Sequence, residues 1–233
     1  MKKVTLLSLL SIAGLAHAGI IYQDGFTTNG SLVGASTDDG AGTWGGYASS
    51  WSNNAGYAVI NSSDYSGNRN AYLSFVPVSG KIYEYSVTYE IMSGEFGIGF
   101  VTNLTSIGSL GIFQFDAASM RLASGGSMSV GMDNGSIGNS VTVGSSWPAS
   151  GIMTMILNTT GSQWTVEWKL NDVVITNGTF NSEAPVVGIV ISASSATVKL
   201  DSLTLQTVPE PATISLFIIA GIVPFLIRLS SRS

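Results

Sequence analysis

The 233 residues contain no cysteine and one histidine, His17. Without cysteine no disulfide can staple the chain, so an exported domain would have to hold together by its core alone. His17 lies in a leader that reads as removable (below), and everything after it lacks both residue types. That excludes Ser-His-Asp and Cys-His nucleophiles and the usual zinc ligand sets. Charge is scarce too, at 10% of residues. Four of the nine bases (Lys2, Lys3, Arg228, Arg232) sit at the two ends. Between them Arg69, Lys81, Arg121, Lys169 and Lys199 face thirteen acids, a net charge of −8. A surface so poor in bases argues against nucleic acid as a partner.

What is present begins with two targeting ends. Lys2 and Lys3 precede an apolar run from Val4 to Leu15, and Ala16-His17-Ala18 then supplies the small-x-small pattern of a signal-peptide cleavage site. Residues 1–18 therefore read as a signal peptide, with Gly19 the first mature residue. At the other end Val208-Pro209-Glu210-Pro211-Ala212-Thr213 follows a strand-like segment. Two prolines around one residue cannot continue a β ladder, because each lacks an N–H, and they force an extended break. Ile214 to Ile227 is apolar apart from Ser215, and Arg228 and Arg232 follow. That run is short for a span, but Arg228 can snorkel and the bilayer can thin. The positive-inside rule keeps the arginine end cytoplasmic and faces the middle of the chain outward.

This tail (motif 208–213, transmembrane helix 214–227, basic tail 228–233) resembles the PEP-CTERM sorting domain of Gram-negative bacteria. The departures are a basic tail of only two arginines and Pro224 within the helix. The resemblance implies recognition by a membrane-embedded exosortase near Val208, Pro209, Glu210 and Pro211. It also implies export machinery and a membrane as partners. The chain would be held in the inner membrane, then processed to the cell surface or extracellular matrix in association with exopolysaccharide.

Residues 19–207 show no helical periodicity; strand-length alternation recurs between Gly/Asn turns. Tyr83, Tyr85, Val87, Tyr89 and Ile91 share one face, and Trp164, Val166, Trp168 and Leu170 another. Asn171-Asp172 reads as a hairpin turn. Val198 and Leu200 are out of phase with Leu203 and Leu205, which predicts a bulge at Asp201-Ser202. About a dozen short strands predict an all-β antiparallel sandwich or jelly roll. The order of features resembles concanavalin/laminin-G-like sandwiches, with Ile21–Phe26 as first strand and Val198–Leu205 as last. In that fold the two would lie side by side.

Glycoside hydrolases on such folds set closely spaced acids along one strand. Here Glu84, Glu90 and Glu167 are scattered and no E-x-D-x-E occurs, so no catalytic residue is assigned. Asp38-Asp39-Gly40, Asp64 and Asp133-Asn134-Gly135 offer oxygens that would suit calcium, but such steps are equally turn chemistry. No metal ligand and no cofactor is assigned. Trp44 and Trp51 fall in Gly/Ser-rich loops, where indole faces could stack on sugars or plug the end of a sandwich. The sequence thus predicts a non-enzymatic exported surface or matrix protein. A carbohydrate-binding, lectin-like module is the alternative, and a secreted polysaccharide-degrading enzyme the third reading.

Overall fold

The computed structural model describes residues 18–46, 51–54, 56–61, 69–104, 116–132, 141–181 and 185–209. The leader through His17 and the tail from Glu210, with Ala16, Pro211, Arg228 and Arg232, lie outside the described residues, as do Asp64 and Asp133. No helix among the described residues is long and apolar enough to cross a membrane.

Two long strands organise Gly19–Val208, which forms one compact unit. The first, β7 (Ile82–Val101), buries Tyr83, Tyr85, Val87, Tyr89 and Ile91 and then loses its alternation over Met92–Glu95. It resumes in the opposite phase with Phe96, Ile98 and Phe100. The other, β14 (Gly188–Val208), runs antiparallel beside it along its whole length. Both strands fold double at one corner. Gly94 has φ of 73° and Ser195 φ of 48°, and a Cβ on Gly94 would lie 2.1 Å from the Ser195 carbonyl oxygen. Only glycine permits backbones to meet that closely with that φ. The doubling brings Tyr89 against Phe96 and Tyr85 against Phe100, with ring centroids 6.0 Å apart in each pair. The Tyr85 hydroxyl also donates across the core to the Val190 carbonyl at 3.0 Å.

Each half of the doubled ribbon nucleates a layer. In the first, Ile82–Glu90 pairs β11 (Ser150–Asn158), which pairs β12 (Thr165–Leu170) and then β13 (Val173–Thr179). On its other side β14 pairs β1 (Ile20–Asp24) and β5 (Ala58–Asn61). In the second layer Glu95–Val101 pairs β8 (Asp116–Ala123), followed by β9 (Met128–Met132) and β10 (Val141–Gly144). Across β14 lie β6 (Arg69–Ser74) and the two-residue β3 (Gly45–Gly46). Two more short strands, β2 (Gly30–Ser31) and β4 (Ser52–Asn53), extend from β5. The ladder is continuous through all fourteen strands, and its two layers enclose one apolar core.

The predicted hairpin is present: Asn171 and Asp172 both take positive φ (49° and 64°), as a primed turn requires. The bulge at Asp201-Ser202 is present as a register shift between Leu200 and Ser202. Its effect is to put Val198, Leu200, Leu203 and Leu205 all into the core. The first and last strands are neighbours, as the concanavalin-like pattern implies. The strand count needs correction in one respect. Two of the strands, of 20 and 21 residues, are not short.

Candidate functional site

The residues singled out in the sequence fall in separate places. Trp44 and Trp51 are 1% and 2% exposed. The Trp44 indole N–H donates to the buried Asp24 carboxylate at 2.6 Å, and that of Trp51 to the Arg69 carbonyl at 3.2 Å. Each ring is consumed by the core, Trp51 edge-on to Phe96 and Trp44 against Phe26, so neither offers a face to a sugar. Of the two readings of these rings, sugar stacking and an apolar plug, their burial supports the plug, and stacking on Trp44 and Trp51 is withdrawn. Ala18 and Gly19 lie at the start of β1, and Val208 and Pro209 at the end of β14.

Asp38 and Asp39 close a turn onto β1. The Asp38 carboxylate accepts from Gly25 N at 3.0 Å and from the Thr27 hydroxyl at 2.6 Å. Asp39 accepts from Gln23 N at 2.7 Å, from the Thr37 hydroxyl at 2.6 Å and from Ala41 N at 3.0 Å. Burial pushes the Asp24 carboxyl above its ordinary value, against the hydrogen bonds from Trp44 and Phe26. Burial also acts upward on Asp39, but its hydrogen bonds outweigh that and hold its carboxyl below the ordinary value. These acids are taken up by local hydrogen bonds to backbone N–H groups, threonine hydroxyls and the Trp44 indole. Among the described residues no group of three His, Cys, Asp or Glu could hold a metal.

Two outward faces remain. On the first layer Glu84 and Glu167 fall on one cross-strand row with Ile156 between them. Gln206 donates to Glu84 at 3.0 Å and Lys169 pairs with Glu167 at 3.1 Å. An aliphatic side chain stands where an inverting glycosidase would need a water between two acids. This face reads as an ordinary solvated sheet surface, with Ser86–Thr154 and Ser202–Thr88 hydroxyl pairs across the strands.

The outward face of the second layer is different. Because Phe96, Ile98 and Phe100 point into the core, Gly97, Gly99 and Val101 point to the opposite side of the sheet, where they too are buried. Register then lines up two rows across the strands. The first reads Asn70–Ser192–Gly97–Arg121–Ser129–Thr142 and the second Tyr72–Val190–Gly99–Ser119–Gly131. Small hydrogen-bonding side chains around a glycine centre make a floor that backbone and ligand can approach closely. Ser192 Oγ donates to Asn70 Oδ1, and Ser129 and Thr142 hydroxyls lie 3.5 Å apart. Arg121 pairs with Glu95 at 3.0 Å where the face nears the corner, half-exposed. Towards the opposite end Val101 and Val190 form a small apolar cluster with Tyr72 and Leu104. Tyr72 lies over β3, where a Cβ on Gly45 would come within 2.4 Å of its ring. Ser119, flanked in register by Gly99 and Gly131, is buried, and its hydroxyl has no hydrogen-bond partner among the described residues.

Sequence reasoning missed this face. Its signal was Phe96-Gly97-Ile98-Gly99-Phe100, a strict alternation of large apolar residues with glycine. Glycine weakens a strand, so its repetition on one side marks close approach rather than strand preference.

No known protein family matches the chain, and no curated protein sequence matches it. Solved structures do. The domain is similar to an endo-1,3-beta-glucanase from Streptomyces sioyaensis, with 12% identity over 84% of this chain and 98% of that one and a TM-score of 0.54. That likeness defines the class: an antiparallel β-sandwich of the concanavalin-like type. The Emp47p carbohydrate recognition domain (9% identity, 79% of this chain and 96% of that one, TM-score 0.49) is also similar. So is the VIP36 exoplasmic/lumenal domain in its Ca2+/Man-bound form (13%, 81% and 91%, 0.48). At these identities the likeness is one of fold.

Proposed function

We propose that the domain is a non-enzymatic carbohydrate-binding module whose ligand lies on the outward face of the second layer. The chain would be exported by its signal peptide and presented outside the cell by an exosortase-processed PEP-CTERM tail. The observation that carries the binding reading is Ser119, a buried hydroxyl between two glycines on the side of the sheet away from the core, with no hydrogen-bond partner among the described residues. Buried hydroxyls are ordinarily hydrogen-bonded, and the exceptions call for a partner that arrives later. A sugar hydroxyl supplies one. The sandwich shared with an endo-1,3-beta-glucanase supports a glycan as that partner, with β-1,3-glucan the first candidate.

A neutral glycan fits the charge. The domain carries −8, and the one base on this face, Arg121, is already paired with Glu95. Hydrolysis would need two carboxyl groups set roughly 5–9.5 Å apart. Among the side chains described on this face Glu95 is the single carboxylate, and it faces Arg121. The testing experiment is retention of the full chain, in detergent micelles, on immobilised β-1,3-glucan and on an acidic polysaccharide. Retention by the neutral polymer, weakened by Arg121→Ala and unchanged by Glu167→Ala, is expected. Release of reducing sugar from the glucan, or loss of retention with Glu167→Ala, would overturn the assignment.

A further inference from the structure

The doubling of β7 and β14 sends both ends of the domain to one pole, opposite the Gly94–Ser195 corner. There Gly19 N donates to Thr207 Oγ1 at 2.9 Å, and Thr207 N donates to the Gly19 carbonyl at 2.8 Å. Thr207 is the register partner of Tyr83, whose hydroxyl accepts from Val78 N at 2.7 Å. Thr159 ties the same turn down by donating to the Val78 and Lys81 carbonyls. Tyr22 of β1 joins in by donating to the Ser74 carbonyl. The segment Ser74–Lys81 is therefore fixed beside the two points where the chain enters and leaves the domain.

This segment alternates against expectation. Phe75 and Pro77 point inward, whereas Val76 is 71% exposed and Val78 64% exposed. Ile20, beside Gln206, is 57% exposed. Lys81 is exposed at the end of the segment, and no acid occurs between Ser74 and Lys81. Isolated surface valines need no explanation, but here three exposed apolar side chains and a base share the pole from which the tail departs. Five residues, 209–213, separate Val208 from the apolar run at Ile214. Fully extended they reach about 17 Å, so a bilayer holding that run would lie close to this pole.

We infer that this pole is a membrane-facing surface, with Val76 and Val78 resting in the lipid interface while the tail holds the chain. Apolar tips with an adjacent lysine suit that region, where the lysine reaches lipid phosphates. The inference rests on the tail reading in the proposed function and is independent of the glycan face.

The chain has no cysteine, so single labels are clean. Full-length Val76→Cys, Val78→Cys, Val173→Cys and Ser127→Cys would each carry an environment-sensitive fluorophore. They are reconstituted in vesicles of phosphatidylethanolamine and phosphatidylglycerol with and without nitroxide-labelled lipid. Val173 is as apolar and exposed (61%) but sits at the far end of its hairpin, and Ser127 lies exposed beside the corner. Quenching at 76 and 78 should exceed that at 173 and 127 several-fold. Vesicles that float with the protein yet quench all four sites equally would overturn this inference alone. A chain that does not float with the vesicles would overturn the tail reading together with it.

Discussion

At the level of single residues, two acids, Asp24 and Asp39, carry opposite pH dependence. Asp24 is held above its ordinary carboxyl value by burial, so the folded state binds its proton more tightly than the unfolded chain. Its contribution to stability is present below the unfolded value and is lost as pH rises through the folded one. Asp39 is held below its ordinary value, and its contribution is lost as pH falls through that depressed value. Thermal melts from about pH 2 to 7, spanning the ordinary carboxylate value near 4, should separate them. The margin of wild type over Asp39→Asn should shrink at the acid end, and the margin over Asp24→Asn should shrink as pH rises. Trp44→Phe, which leaves the buried Asp24 without its indole donor, should cost about 1.5–3 kcal/mol in urea denaturation. Ser119→Ala points the other way. Removing a buried hydroxyl without a partner should leave stability unchanged or raise it by about 1 kcal/mol, while weakening glycan retention. A loss of stability there would mean the hydroxyl is already bonded.

At the level of elements, the alternating stretches were legible and the corner was not. Trp164, Val166, Trp168 and Leu170 repeat with a clean period of two, and all four are buried. In β7 the inward residues are odd-numbered up to Ile91 and even-numbered from Phe96. In β14 they switch twice, at Ser194–Thr197 and at Leu200–Ser202. A period-two reading ends a strand wherever the phase breaks, so two folded-over strands read as several short ones. The glycine floor was hidden for a related reason. Glycine signals a turn in most contexts, and only the flanking Phe96, Ile98 and Phe100 show that here it lies within a strand. Gly94→Ala should be severe, costing more than about 3 kcal/mol, because its Cβ would strike the Ser195 carbonyl. Gly34 has φ of 91° but open space around it, so Gly34→Ala should cost only about 1–2 kcal/mol. Equal losses in the two would remove the corner's special status. Trp168→Ala should cost about 3–5 kcal/mol if the core is packed as described.

At the level of the whole molecule, the doubled ribbon gives the domain a polarity. Chain entry and exit share one pole, the corner occupies the other, and the two outward faces run between them. One face mixes aliphatic side chains with acids and hydroxyls that are paired with one another. The other is floored with buried glycine and serine and holds Ser119, whose hydroxyl has no partner among the described residues. That contrast is the basis for the proposal of a glycan on the second layer. Hydrogen–deuterium exchange of the full chain, with and without a soluble β-1,3-glucan oligosaccharide, tests the placement directly. The account predicts added protection in peptides covering Glu95–Val101, Ala117–Ala123 and Gly188–Ser194. Protection confined to Ile82–Glu90, Ser150–Asn158 and Thr165–Leu170 would contradict it.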